Sequence, residues 1–242
     1  MHHPRLGVNI DHIATLRQAR RGNEPDPLDS IPILKACGVD QVTCHLREDR
    51  RHIQDQDVIR LIESAVLPVN LELALDPAII ALAARLKPAT CTFVPEKREE
   101  ITTEGGLNCR AHLAGLREVT KKLQGEGVRV SLFIAPDNEA IELSAQIKAD
   151  AVELHTGSYC GQFGKKGEKG EWDRLKTGAR EAAKRGLKVF AGHGLDRYNL
   201  AQVVSIAEIE EYNIGHSIIS RAIFIGLEAA IKEIQHVLIH RQ

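Results

Sequence analysis

Short apolar runs alternate with longer segments that carry apolar residues every three or four positions along nearly the whole chain. Each run is short enough for a buried strand, and a helix-type segment follows it. Eight runs fit this description: 6–10, 40–46, 67–72, 90–94, 128–134, 150–155, 187–191 and 210–215. Eight β-then-α units predict an α/β protein with a parallel sheet, and their number favours a TIM (β/α)8 barrel with extra helices.

The segments between the runs contain helix and loop signals. Amphipathic patterns predict helices over 76–87, 113–127 and 171–186, and glycines at the expected C-cap positions end several helices. The glycine- and lysine-rich stretch 157–171 predicts a flexible loop before a helix. The long polar stretch 94–107 predicts either a lid over a substrate or a passive surface loop.

The alternation within four predicted strands places polar side chains inside the expected barrel. Asn9 and Asp11 alternate with Val8 and Ile10, and the same pattern recurs in "CHLR", "VNLE" and "VELH". Because successive strand side chains point to opposite faces, the apolar set packs beneath the helices and the polar set faces inward. Burying a neutral polar group without a partner costs about 2–7 kcal/mol. The pattern therefore predicts a polar active-site cavity at the C-terminal mouth.

Composition and charge restrict the class of protein. The 242 residues are 43 % hydrophobic and 27 % charged with a formal net charge of −1, which suits one domain over 1–242. The scattered charges predict neither a nucleic-acid nor a membrane partner. Five cysteines without C-x-x-C spacing, together with an N-terminus lacking an apolar targeting run, predict a cytoplasmic protein.

Several inward residues are candidates for acid–base chemistry. We expect Glu72 to act as a general base, because burial raises the pKa of a carboxylate toward neutrality, although a structural salt bridge to Arg47 is an alternative. Glu153 has the same inward position in its own predicted strand and is a second candidate. His45 suits proton relay, and Arg47 suits a substrate oxygen. Metal is not expected, since neither an H-x-H nor an H-E-x-x-H pattern occurs, and no lysine except Lys97 closely follows a predicted strand.

Two Gly-His pairs follow the last two predicted strands, in "AGHG" (191–194) and "IGHS" (214–217). In barrels of this type the loops after strands seven and eight often form a phosphate site at a helix N-terminus. We therefore expect Gly194, Gly215 and His216 to offer backbone N–H groups to an anion. His193 lies between two glycines and could act as an acid or a base.

The blocks "GVNIDHIATLRQAR", "HLREDRRHI", "VPEKREEITTEGGL", "FAGHGL" and "NIGHSIISRA" together resemble the pyridoxine 5′-phosphate synthase family in collinear order. The resemblance implies a TIM barrel that condenses 3-amino-2-oxopropyl phosphate with 1-deoxy-D-xylulose 5-phosphate, without metal or organic cofactor. The products are pyridoxine 5′-phosphate, phosphate and water. It also implies a homo-octamer built from dimers, in which an arginine of the first loop reaches a neighbour's site.

The resemblance implies roles for individual residues. It makes His45 and Glu72 proton acceptors and His193 the proton donor, while Glu153 stabilises a transition state. The site for the aminoketone phosphate comprises Asn9, Arg20, Gly194, Gly215 and His216. The site for the deoxyxylulose phosphate comprises Asp11, His12, Arg47, His52 and Thr102.

Two other functions fit parts of the pattern. One is a barrel isomerase or aldolase that turns over a single phosphorylated sugar. The other is a non-catalytic sensor of a phosphate ester, which would tolerate neutralisation of its acids and bases. The inward carboxylates argue against the sensor, since binding an anion does not require them.

Overall fold

Eight parallel strands pair in chain order and close into a barrel in the computed structural model, which describes residues 4–96 and 105–239. The eighth strand returns to pair with the first, as the barrel prediction requires. The strands are β1 (Arg5–Asn9), β2 (Gln41–His45), β3 (Val69–Leu73), β4 (Thr90–Phe93), β5 (Arg129–Ile134), β6 (Ala151–His155), β7 (Lys188–Gly192) and β8 (Ile209–Ile214).

Helices surround this barrel and connect its strands. They are α1 (Asp11–Gln18), α2 (Ile31–Ala36), α3 (Asp55–Ser64), α4 (Pro77–Leu86), α5 (Leu113–Gly125), α6 (Asn138–Ile147), α7 (Gly157–Gln162), α8 (Glu168–Lys184), α9 (Leu200–Val204), α10 (His216–Ile225) and α11 (Leu227–Ile239), with a short 3₁₀ helix at Pro27–Ser30. Within the described ranges no helix is both long and apolar enough to cross a membrane.

Local sequence signals explain where several helices begin and end. The Asp76 side chain accepts hydrogen bonds from the N–H groups of Ala78 and Ile79, which caps the N-terminus of α4. The predicted C-terminal glycines Gly38, Gly127 and Gly186 have φ values of 72°, 84° and 78°, a region that side chains disfavour. The C-cap prediction is confirmed at these three positions.

The prediction of a flexible loop over 157–171 is wrong. Helix α7 begins at Gly157 and α8 begins at Glu168, so only a short connection separates them. Glycine weakens a helix by about 1 kcal/mol relative to alanine, but tertiary contacts outweigh that preference here. The buried Tyr159 donates its hydroxyl to the carbonyl of Asn199 at 2.9 Å, and the indole of Trp172 donates to the carbonyl of Gln202 at 3.0 Å.

Apolar and polar side chains lie on opposite faces of the strands, the apolar set beneath the helices and the polar set inside the barrel. The alternation prediction is confirmed. Val8, Leu71 and Val152 are fully buried beneath the helices. Inside the barrel, polar side chains satisfy one another. Asn213 donates to Glu153 Oε2 at 2.8 Å and accepts from Thr43 at 3.1 Å. This network leaves a polar surface facing the mouth of the barrel.

Candidate active site

The carboxyl ends of the strands bring most of the predicted site residues to one mouth. His45 ends β2 and is paired in register with Glu72 on β3, whereas Glu153 lies on β6. Side-chain atoms of Asp11, His45 and Glu72 lie within 4.8 Å of one another. Parallel strands all end at the same edge, so residues distant in sequence meet there.

Asp11 joins the ends of the first two strands. Its Oδ2 accepts from Asn9 Nδ2 at 2.9 Å, and its Oδ1 accepts from the backbone N–H of His45 at 2.8 Å. The backbone N–H of Asp11 in turn donates to Asn9 Oδ1 at 2.9 Å. These bonds fix the position of His45 relative to the start of α1.

The spacing of Asp11, His45 and Glu72 would also admit a cation. Both Asp11 oxygens accept hydrogen bonds, and His45 Nε2 lies 2.7 Å from Glu96 Oε1. These contacts and the raised pKa of Glu72 fit a set of proton-transfer groups.

Two carboxyl groups in the mouth hold their protons unusually strongly. Burial raises the pKa of Glu72 well above its ordinary value, and the charges of Glu153 and Asp11 raise it further. Burial also raises the pKa of Glu153 to about 8, although the hydrogen bond from Asn213 opposes that shift. A carboxyl group with a pKa of about 8 can exchange protons near neutral pH, and the raised pKa of Glu72 is in the direction predicted for that residue.

His193 faces a second imidazole across the mouth. Its ring centroid lies 4.9 Å from that of His155 and 6.3 Å from that of Phe133. Burial, together with the charges of His193 and Arg174, lowers the pKa of His155 to about 4. His155 is therefore neutral at neutral pH.

The glycines that precede His193 and His216 make room for side chains of other strands. A Cβ at position 192 would lie 2.2 Å from Glu153 Oε1, and one at position 215 would lie 2.7 Å from Asn9 Cβ. Gly192 and Gly215 are thus required by close packing within the site. His193 itself has a φ of 79°, and Thr156 Oγ1 lies 2.5 Å from its carbonyl oxygen.

Two of the three residues predicted to bind an anion lie at a helix N-terminus. Gly215 is the N-cap of α10 and His216 is its first residue, so N–H groups of the first turn lack helical partners. Gly194 differs from the prediction, because it lies six residues before α9 begins. The His12 ring packs edge-on against His216 with centroids 5.0 Å apart, and burial lowers the pKa of His12.

The remaining predicted residues fall into three groups. Arg47 is buried and His52 lies 6.2 Å from His45 between ring centroids, so both are part of the mouth. Arg20 is exposed and lies two residues past the end of α1. Thr102, like Lys97 and most of the stretch 94–107, lies outside the described residues.

Two features of the site could not be singled out from the sequence. Glu96 reaches His45 from a loop without periodicity. Arg17 pairs with Asp57 through two hydrogen bonds of 2.8 and 2.7 Å, and it also donates to the carbonyl of His52 at 3.2 Å. These contacts hold Arg17 beside the backbone of His52.

Comparison with known proteins identifies the family. The chain is 49 % identical over 239 residues to a pyridoxine 5′-phosphate synthase of Sulfurihydrogenibium sp. (strain YO3AOP1), covering 98 % of both chains. It is 50 % identical over 233 residues to one from Synechococcus sp. (strain JA-2-3B'a(2-13)), covering 96 % of this chain and 98 % of that one. The family described as "PdxJ: Pyridoxal phosphate biosynthesis protein PdxJ" matches residues 6–240. The chain belongs to this family.

Solved structures with low sequence identity agree with the PdxJ barrel. The tryptophan synthase A-subunit from Pyrococcus furiosus matches with a TM-score of 0.61 and 13 % identity, covering 98 % of this chain and 96 % of that one. Phosphoribosyl anthranilate isomerase from Thermus thermophilus matches with a TM-score of 0.58 and 14 % identity, covering 96 % and 99 %. The predictions of a TIM barrel and of a pyridoxine 5′-phosphate synthase are both confirmed.

Proposed function

We propose that the chain joins 3-amino-2-oxopropyl phosphate and 1-deoxy-D-xylulose 5-phosphate at the barrel mouth, releasing pyridoxine 5′-phosphate, phosphate and water. The observation that carries this proposal is the meeting of His45, Glu72 and Asp11 within 4.8 Å in a chain of the PdxJ family. A condensation with successive dehydrations needs several groups that accept and return protons, and positioned groups supply about 10²–10⁴-fold each.

We assign the two phosphate esters to separate parts of the mouth. For the aminoketone phosphate we propose Gly215 and His216 at the N-terminus of α10, together with Asn9 and Gly194. The positive end of a helix favours a phosphate group there. For the deoxyxylulose phosphate we propose Asp11, His12, Arg47, His52 and Thr102.

The reaction begins with an imine between the two substrates. The amine of the first attacks the ketone of the second, and one water leaves. Proton abstraction then expels phosphate, and an aldol closure with a second loss of water completes the pyridine ring. His45 and Glu72 accept protons in these steps, His193 donates one, and Glu153 stabilises a transition state. A raised pKa suits Glu72 to this role, because its ionised form is a strong base.

The assembly and location of the enzyme follow from the same proposal. It acts as a single-domain subunit of a cytoplasmic homo-octamer built from dimers, with no nucleic-acid or membrane partner, and Arg20 serves a neighbour's site. The exposure of Arg20 supports this assignment, as do the apolar side chains of Ile223 and Phe224 on α10, which are 71 % and 80 % exposed.

A two-substrate assay tests the proposed function. Purified protein is mixed with both phosphates, and pyridoxine 5′-phosphate is followed by absorbance and mass, with each substrate omitted in turn. We expect product only when both are present. Turnover of one ester alone would indicate the isomerase or aldolase instead, and binding without turnover would indicate the sensor.

A further inference from the structure

A carboxylate from the loop after β4 holds the ring of His45. Glu96 Oε1 lies 2.7 Å from His45 Nε2, and Glu96 Oε2 accepts from the backbone N–H of Glu48 at 3.0 Å. The side chains of His45 and Glu96 are each only 5 % exposed. Both carboxylate oxygens are therefore engaged, one with the ring and one with the segment that follows β2.

The ionisation of Glu96 fixes the direction of the hydrogen bond. Burial by itself would raise the pKa of Glu96, but the hydrogen bonds from His45 and from the N–H of Glu48 outweigh it and lower that pKa. An ionised carboxylate can only accept, so the hydrogen must lie on His45 Nε2. In the neutral ring the lone pair then belongs to Nδ1, which becomes the nitrogen able to take a proton.

We propose that Glu96 is a positioning residue for His45, setting its tautomer and orientation so that Nδ1 acts as the base. The inference rests on the proposed function, in which His45 accepts a proton from substrate. When Nδ1 takes that proton, the carboxylate also stabilises the resulting imidazolium. A carboxylate that orients a catalytic imidazole has a large effect on rate in other enzymes, although it never touches substrate.

Other charged groups surround His45, but their contacts differ from that of Glu96. Those that face it are Asp11 at the start of α1, Glu72 on β3, Arg47 and His52 after β2, and Glu96 after β4. Asp11 accepts from the backbone N–H of His45 and so fixes the main chain. Glu96 contacts the ring itself, which is the part whose tautomer matters.

Two measurements test this inference. The first is the nitrogen NMR spectrum of protein labelled with ¹⁵N-histidine, in which the His45 signals are assigned by their loss in H45N. The second is the kinetic comparison of Glu96→Gln with Glu48→Gln. The Glu48 side chain is exposed in the same region, so this control removes a nearby charge without touching His45. Glu96→Asp tests whether a restored charge rescues activity.

We expect the spectrum to show a protonated Nε2 and an unprotonated Nδ1 in the neutral ring. We expect E96Q to lower kcat on the order of 10²-fold with little change in KM. Loss of the negative charge destabilises the imidazolium, so the acidic limb of the kcat/KM profile moves to lower pH. E48Q should resemble the parent enzyme, and E96D should recover part of the lost rate.

The opposite tautomer in the parent protein would overturn the inference, as would kinetics of E96Q that match those of E48Q. The spectrum is independent of turnover. If the parent protein makes no pyridoxine 5′-phosphate, the proposed function fails, while the tautomer of His45 still decides whether Glu96 positions it.

Discussion

Glu153 occupies the space that a side chain at position 192 would need. A Cβ on Gly192 would lie 2.2 Å from Glu153 Oε1, and the other oxygen of that carboxyl group accepts from Asn213 at 2.8 Å. The glycine on β7 therefore determines where a carboxyl group on β6 can lie. Packing inside the site therefore explains why β7 ends with a glycine.

Gly192→Ala should displace Glu153 and weaken its bond to Asn213. We expect most of the activity to be lost and the free energy of unfolding to fall by about 1–3 kcal/mol, as for other overpacked sites. Activity and urea unfolding measure the two effects. Gly161→Ala is the control, because a Cβ there meets nothing within 4 Å, and its stability should be unchanged or slightly higher.

Glu72→Gln should abolish most turnover while largely preserving substrate binding, since the amide keeps the shape of the carboxyl group but cannot accept a proton. Steady-state kinetics give kcat, and calorimetry with a phosphate ester gives the affinity. Glu63→Gln, on an exposed position of α3, is the control. An active E72Q enzyme would remove Glu72 from the mechanism.

Stability should depend on pH through Glu153. Its pKa is raised to about 8 in the folded protein from an ordinary 4.5, so the folded state binds the proton more strongly than the unfolded state. This contribution is complete below about pH 4.5 and is lost as pH rises through 8. Relative to Glu153→Gln, the parent protein should lose at least about 1 kcal/mol between pH 5 and 8. Parallel pH dependences of unfolding in the two proteins would contradict the shift.

Arg17→Met should be strongly destabilising, because it leaves the Asp57 carboxylate buried without its partner. The expected cost is about 3–5 kcal/mol, and replacing both residues with apolar ones should recover most of it. Chemical unfolding of the two single variants and the double variant gives the coupling free energy. A double variant as unstable as the sum of the singles would show that the pair is not coupled.

The sequence predicts the barrel well because its signal is repeated. Eight strand-then-helix units and the alternation in "CHLR", "VNLE" and "VELH" each follow from local periodicity. The helix at 157–162 could not be predicted, since it depends on where Tyr159 packs. Glu96 could not be singled out because its partner His45 lies 51 residues away and only the closed barrel brings them together. Motif resemblance supplied the substrates, which periodicity does not encode.

In the proposed reaction one barrel mouth condenses two phosphate esters. This is tested by a time course that quantifies phosphate and pyridoxine 5′-phosphate in the same reaction. We expect both products to appear together in a one-to-one ratio, and neither to appear when either substrate is omitted. Phosphate released from a single ester, or both esters remaining unchanged in the presence of active, folded protein, would contradict it.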